Sequence, residues 1–252
     1  MGQPPQNGIE WSLKGAKMTV IAVAYDGSPH SEDALAFAKE LSHQAGAELA
    51  LLNVYRADPP LRWPSMAVRG RSEFLRKESR RLLERTAQRF ALQASLYPLA
   101  GTTTASAVKR FAEEREPALI VFGSAFNAPP GAVHPGSAAR RLLQSGPVAL
   151  AFAPAGYHKE GQVPRQPRVG YAHDDPLQTA RQTAALLAGL FGGSVAEGTE
   201  AVDLLVLGSA PNRRGLLHLG AQRQEELFGA RVPTVVVPPG KVPALAAVQA
   251  AA

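Results

Sequence analysis

The chain has 252 residues, of which 45% are hydrophobic, with a formal net charge of +6 and a sequence pI near 9.8. This hydrophobic content is enough to bury a core and excludes a chain that is disordered throughout. The absence of Cys excludes disulfides, thiolate nucleophiles and Cys-ligated zinc, and it agrees with a reducing cytoplasm. No apolar run approaches the roughly 18 residues that cross a bilayer, so we expect a cytoplasmic protein with no membrane partner.

Much of the positive charge lies in one segment, residues 69–89. Acidic residues stand three or four positions from basic ones, as Glu73 does from Lys77, and Leu75 and Leu82 share one helical face. The pattern predicts an ion-paired surface helix rather than a nucleic-acid-binding surface, because it lacks an interleaved set of aromatic residues for base stacking. Frequent Arg and Pro and the absence of Cys are typical of a thermophile or of a GC-rich genome.

The first half alternates short apolar strands with helical segments. Strands are predicted at residues 19–25, 47–55, 92–101, 118–125 and 147–154. Helices are predicted between them, the first capped by Ser31 and closed by Gly46. This rhythm predicts an open parallel sheet with helices on both faces, and a ligand site beyond the carboxyl ends of its strands.

The second half repeats parts of the first. The sequence ALIVFGSA at 118–125 reappears as DLLVLGSA at 203–210, and the apolar segment at 147–154 has a counterpart at 233–240. A looser match relates the segments around Tyr25 and Tyr171. The two matched segments are separated by about 60 fewer residues in the second half than in the first. This difference predicts a second copy that lacks most of strands two and three and the helices between them. The alternative is one domain of nine strands without duplication.

We therefore expect a domain organisation of five parts. They are an N-terminal extension at 1–17, a first domain at 18–154, a linker rich in Pro and Gly at 155–167, a truncated copy at 168–240 and a tail at 241–252.

Small residues at the ends of predicted strands and helices indicate an anion site. Gly123 ends the fourth strand where the backbone bends, and Gly136-Ser137 begins a helix whose free N–H groups and dipole favour an anion. Asp26, after the first strand, can accept hydrogen bonds from an adenine amino group or from ribose hydroxyls. Each residue also has a purely structural explanation, as a turn glycine, an N-cap serine or an Asx-turn.

The spacing of these residues resembles that of the universal stress protein family. Asp26-Gly27-Ser28 is similar to the opening signature of that family, and the segment that begins at Gly123 resembles its phosphate-binding loop. In that loop a Gly is followed by two residues, a second Gly, nine residues and Gly-Ser. Gly123 and Gly136-Ser137 match the first and last elements, whereas Phe126 stands at the middle glycine. The resemblance covers 18–154 well and 168–240 partially.

The resemblance implies a Rossmann-like α/β fold, with a parallel five-stranded sheet of order 3-2-1-4-5 and a second, truncated copy. It implies a stress-response regulator that binds ATP or a related adenine nucleotide in the first domain, with the adenine walled by the ends of strands one and two. The implied binding residues are Ala24, Asp26, Val54, Gly123, Ser124, Gly136, Ser137 and Ala138. It also implies pairing through the fifth strands, in a homodimer or between the two units of one chain.

Four residues in the first unit bear on whether the loop could hold a chain of phosphates. Phe126 places a ring where a triphosphate would run, unless Gly131 lets the loop follow another path. Arg140 and Arg141 lie one turn into the helix, where they could either reach a phosphate or form surface ion pairs.

In the second copy the site is expected to be eroded. Ala172 stands where Asp26 would be and Gly220-Ala221 replaces Gly-Ser, although Arg213 and Arg214 could still attract an anion. The histidines show no metal-ligand spacing, and no combination of nucleophile, base and orienting group emerges. We expect a binding protein with at most a weak ATPase activity, and the alternative is an adaptor that binds no nucleotide and acts through dimerisation.

Overall fold

The computed structural model describes residues 19–56, 66–173, 176–210 and 215–245. The strands are β1 (Val20–Ala24), β2 (Glu48–Arg56), β3 (Ala94–Gly101), β4 (Leu119–Gly123), β5 (Ala149–Ala153), β6 (Arg168–Ala172), β7 (Ser194–Glu197), β8 (Leu204–Gly208) and β9 (Thr234–Val237). The helices are α1 (Pro29–Ala45), α2 (Met66–Arg89), α3 (Thr104–Arg115), α4 (Ser137–Leu142), α5 (Tyr157–Glu160), α6 (Thr179–Phe191) and α7 (Ala221–Gly229).

The described strands form one sheet in the order β3-β2-β1-β4-β5-β9-β8-β6-β7. The first five strands have the predicted order 3-2-1-4-5 and pair in parallel. The last four are also parallel to one another, and their order β7-β6-β8-β9 matches that of β2-β1-β4-β5. The sequence repeat therefore corresponds to a repeat of topology.

The two halves of the sheet join through β5 and β9. These strands pair antiparallel, with Leu150 opposite Val236 and Phe152 opposite Thr234. The predicted pairing of fifth strands within one chain is thereby confirmed. It covers two sheet edges that would otherwise expose unpaired backbone groups.

Both faces of the sheet are covered by helices. One layer packs residues of α1, α2 and α6, such as Phe37, Leu83 and Leu187, against the strands. The other layer packs residues of α3, α4 and α7, such as Phe111 and Leu142, against the opposite face. Burial on two faces explains why the strands are continuous apolar runs rather than alternating patterns.

The first helix begins earlier than the sequence suggested. Ser28, not Ser31, is the N-cap of α1, and Pro29 occupies its first turn. The Ser28 hydroxyl accepts from the Ser31 backbone N–H at 3.2 Å, and the Ser31 hydroxyl donates to the Ser28 carbonyl at 2.8 Å. The prediction of Ser31 as the cap was wrong because Pro at the first helical position shifts the helix start toward the strand.

The segment after β5 is held against α1 by a buried carboxylate. Asp33, only 1% exposed, accepts from the backbone N–H of Gly156 at 2.9 Å and from that of His158 at 2.8 Å. The His158 ring nitrogen Nδ1 lies 2.5 Å from the same carboxylate. Asp33 thus satisfies two backbone donors of the segment that connects the two copies.

A second carboxylate of α1, two turns further along the helix, holds the same segment. Glu40 accepts from the Tyr157 hydroxyl at 2.5 Å and from the Val163 N–H at 3.1 Å. Burial raises the pKa of Glu40, although the two hydrogen bonds act in the opposite direction. Burial and the nearby Glu40 carboxylate raise the pKa of Tyr157, so the phenol keeps its proton and donates it.

The truncated copy connects β7 to β8 without a helix. Both strands lie parallel to β6 on either side of it, so residues 198–203 must return across the face of β6. Gly198 N–H donates to the Tyr171 carbonyl at 2.9 Å, and Asp203 N–H donates to the Arg168 carbonyl at 2.9 Å. This short crossover replaces the counterparts of α2, β3 and α3. The counterpart of β2 is present as β7, so the prediction that most of strand two is missing was wrong.

Gly170 makes that close crossover possible. A Cβ atom at this position would lie 2.6 Å from the Gly198 carbonyl oxygen and 2.7 Å from a Val202 methyl carbon. Because a backbone atom is one of the two, rotation of a side chain cannot relieve the overlap.

We expect Gly170→Ala to lower the free energy of unfolding by about 1–3 kcal/mol, the usual cost of overpacking. Thermal and denaturant unfolding of the full chain would measure it. Gly189→Ala in α6 is the matched control, because nothing lies within 4 Å of its added Cβ, and helix propensity favours Ala there by about 0.5–1 kcal/mol. Equal stability of Gly170→Ala and the wild type would contradict the tight crossover.

Asp33→Ala should also destabilise the fold, because it leaves the Gly156 and His158 backbone donors without their carboxylate acceptor. A loss of about 1–3 kcal/mol in the free energy of unfolding is expected for an unsatisfied buried donor. Glu113→Ala, on the exposed surface of α3, serves as the control. Unchanged unfolding of Asp33→Ala would show that this carboxylate does not hold the segment.

Candidate functional site

A cavity of about 420 Å³ lies at the carboxyl ends of β1, β2 and β4. This is the edge at which an open α/β sheet binds its ligands. Every residue that the sequence predicted as a nucleotide contact lines this one cavity: Ala24, Asp26, Val54, Gly123, Ser124, Gly136, Ser137 and Ala138. The residues come from four separate segments of the chain, and the fold brings all of them together.

One wall of the cavity is apolar. Ala24 at the end of β1 and Val54 on β2 lie beside Leu52 and Phe122, which the sequence analysis did not single out. Asn53, also missed, lines the cavity and donates through Nδ2 to the Tyr25 carbonyl at 2.7 Å. That bond ties the ends of the neighbouring strands β1 and β2 together.

Asp26 is exposed to solvent within the cavity. Its Oδ1 accepts from the Ser28 backbone N–H at 3.0 Å, which makes the Asx-turn that the sequence left open as an alternative. Partial burial acts to raise the pKa of Asp26, but hydrogen bonds from Ser28 and Ser31 outweigh it and lower the pKa below its ordinary value. The side chain is therefore a carboxylate at neutral pH, with a fixed orientation.

Gly123 is required by the packing of β4 against α1, whether or not a ligand is present. A Cβ at this position would lie 1.7 Å from the His30 carbonyl oxygen, so no side chain fits between the end of β4 and the start of α1. From the sequence, this glycine could be either a turn residue or part of an anion site. The structure shows that the approach of α1 already requires it.

The Ser124 hydroxyl takes part in hydrogen bonds of the loop. The residue is 4% exposed, and its Oγ lies 2.9 Å from the Ala132 carbonyl and 3.0 Å from the Ala153 carbonyl. The same Oγ accepts from the His134 N–H at 3.1 Å. Ser124 thus lines the cavity while its hydroxyl holds the loop in place.

The start of α4 leaves open space in the cavity. Gly136 is the N-cap, and no side chain in the described part of the chain caps this helix. No atom lies within 4 Å of the position that a Gly136 Cβ would occupy. Ser137 is exposed at the first helical position rather than at the cap.

Phe126 stands at the rim and does not fill the cavity. The side chain is 91% exposed, and its ring meets the His30 ring edge to face with centroids 6.1 Å apart. Gly131, the residue that the sequence offered as another path for a triphosphate, lines a different cavity and donates its N–H to the Ala155 carbonyl at 2.8 Å.

Arg140 and Arg141 face away from this cavity. Both line a separate cavity between α4 and α7. Arg140 donates through Nε to the Pro135 carbonyl at 2.9 Å and lies 4.9 Å over the centre of the Phe228 ring. The structure therefore assigns Arg140 to contact with the second copy rather than to a phosphate.

The second copy differs at the corresponding edge. Ala172, which the sequence matched to Asp26, is the last residue of β6 and therefore corresponds to Ala24, the last residue of β1, so that match was wrong. His173 follows β6, and its Nε2 lies 2.6 Å from a Glu226 oxygen of α7. Arg213 and Arg214, the predicted anion attractants, lie outside the described residues. Among the residues with described positions, no group of three or more His, Asp or Glu could hold a metal ion. No described helix is long and apolar enough to cross a membrane.

Comparison with solved structures finds the same fold in several universal stress proteins. One from Archaeoglobus fulgidus DSM 4304 is 14% identical, with a TM-score of 0.61, over 88% of this chain and 98% of that chain. A protein described as a universal stress protein from Pseudomonas aeruginosa UCBPP-PA14 is 12% identical, with a TM-score of 0.54, over 88% of this chain and 93% of that chain.

A third solved structure is the universal stress protein from Archaeoglobus fulgidus in complex with dAMP. It is 16% identical over 54% of this chain and 97% of that chain, with a TM-score of 0.34. No curated protein matches the sequence significantly. The model of the universal stress protein family, however, matches residues 18–154. The match covers more than half of the chain and contains all of the residues predicted to bind nucleotide, and on that basis the chain belongs to the universal stress protein family.

Proposed function

We propose that the first copy binds an adenine nucleotide in the cavity at the ends of β1, β2 and β4, and that the protein is a stress-response regulator of the cytoplasm. The observation that carries the proposal is that the fold brings all of the predicted binding residues together. Residues chosen from the sequence in four distant segments line a single cavity of about 420 Å³. Such a cavity is large enough for a small-molecule ligand and lies where α/β sheets bind theirs.

The lining suggests how a nucleoside would be held. Ala24 and Val54 offer an apolar surface for the flat face of a base. The Asp26 carboxylate, oriented by Ser28, can accept hydrogen bonds from ribose hydroxyls or from an amino group. Gly136 and Ser137 leave open space in which a phosphate attached to the ribose could be accommodated.

The alternative is an adaptor that binds no nucleotide. The chief objection to a nucleotide was that the Phe126 ring would occupy the cavity. Because that ring is 91% exposed and lies on the rim, the cavity stays open, and this observation favours the nucleotide over the adaptor.

Calorimetric titration of the full chain with AMP and, separately, with GMP would test the proposal. We expect AMP to bind and GMP to bind more weakly. Asp26→Ala should weaken AMP binding by about 10- to 100-fold, because hydrogen bonds to a charged group contribute about 1.5–3 kcal/mol. Glu113→Ala removes an exposed carboxylate of α3 outside the cavity and should leave the affinity unchanged.

Circular dichroism and thermal unfolding of both variants would establish that each is folded. Absence of heat and of any displaceable ligand with AMP, adenosine and ATP alike would overturn the proposal in favour of the adaptor. Equal loss of affinity in Asp26→Ala and Glu113→Ala would place the site elsewhere.

A further inference from the structure

The loop between Gly123 and Gly136 is folded onto itself. Ser124 and Pro135 form an isolated antiparallel bridge at its base. Within the loop, backbone N–H groups donate to backbone carbonyls from Ala125 to His134 at 2.6 Å, from Ala128 to Ala125 at 2.9 Å and from Ala132 to Pro129 at 3.0 Å. A loop that cradles a chain of phosphates presents its amides to the ligand. Here the amides of Ala125, Ala128 and Ala132 are used within the protein.

The remainder of the loop is anchored on neighbouring segments. Gly131 N–H donates to the Ala155 carbonyl at 2.8 Å, and Val133 N–H donates to the Ala230 carbonyl of the second copy at 3.0 Å. Arg231 of the second copy donates through Nη1 to the Pro130 carbonyl at 3.2 Å. Wrapping the loop around a polyphosphate would require these bonds to break. The second copy therefore helps to fix the shape of the loop at Pro130 and Val133.

The charge of the cavity also opposes a polyphosphate. None of the described residues that line it is Lys or Arg, and Asp26 is the sole Asp or Glu among them. Arg140 and Arg141, which could have supplied positive charge, line the cavity between α4 and α7 instead. Each phosphate beyond the first adds negative charge to a site that already holds a carboxylate, with no cationic side chain of the described lining to offset it.

Phe126 adds a third restriction at the mouth. Its ring stands on the rim against His30, in the loop that the family resemblance predicts to contact phosphates. An aromatic side chain at this position offers neither charge nor a hydrogen-bond donor to a phosphate.

We infer that the cavity is selective for an adenine nucleoside or its monophosphate and discriminates against the diphosphate and triphosphate. The inference rests on the proposed function and specifies its ligand class. It assigns the second copy a role in selectivity, because that copy fixes the loop through Ala230 and Arg231.

The test is a series of calorimetric titrations of the full chain with adenosine, AMP, ADP and ATP at constant ionic strength, with and without Mg²⁺. We expect AMP to bind at least about tenfold more tightly than ATP, with ADP between them. Phe126→Lys places a cation at the mouth and should raise the affinity for ATP relative to AMP by about tenfold or more. Phe126→Ala removes the ring without adding charge. It should therefore reduce the preference for AMP over ATP, but by less than Phe126→Lys does.

Phe74→Ala is the matched control, because it removes an exposed ring from α2, outside the cavity. It should leave the ratio of AMP to ATP affinity as in the wild type. If the wild type binds ATP as tightly as AMP, or more tightly, the inference is overturned while the proposed function stands. An unchanged ratio in Phe126→Lys overturns it equally. If none of the four ligands binds, the proposed function fails and the inference falls with it.

Discussion

The antiparallel pairing of β5 with β9 is the contact on which the rest of the molecule depends. Because Leu150 lies opposite Val236, the two copies share one sheet, and their helices α4 and α7 come close to each other. That proximity lets Ala230 and Arg231 bond to the loop that borders the cavity. Without this pairing the first copy would expose an apolar sheet edge, and its loop would lose its anchor.

The truncated copy completes the sheet even though it lacks counterparts of α2, β3 and α3. Gly170 lets a short crossover run over β6, so parallel pairing persists without the usual helix between the strands. The two copies therefore differ in role. The first copy contains the cavity, and the second copy anchors the loop that borders it.

The first turns of α1 connect these two parts. The His30 carbonyl packs against Gly123 at the end of β4, and the His30 ring meets Phe126 at the mouth of the cavity. Three residues further along, Asp33 holds Gly156 and His158 in the segment that leads to the second copy. A short stretch of one helix therefore contacts the cavity, its loop and the connection between the copies.

Much of this architecture could be predicted from the sequence, because buried parallel strands are continuous apolar runs and the repeat is visible at 118–125 and 203–210. The convergence of Asp26, Val54 and Gly136 follows from the rule that strand ends share one edge. What could not be predicted depends on contacts between distant residues. Gly123 is required because a backbone carbonyl of α1 lies against it. The loop is anchored by residues about one hundred positions further along the chain. Local sequence patterns reveal neither of these contacts.

A crystal structure of the full chain grown with AMP would test the central claim most directly. The account predicts density for the nucleotide at the ends of β1, β2 and β4, with the base against Ala24 and Val54, a polar atom within hydrogen-bond distance of Asp26 and the Val133–Ala230 bond intact. An empty cavity at saturating AMP, or a nucleotide bound at another surface of the chain, would contradict it.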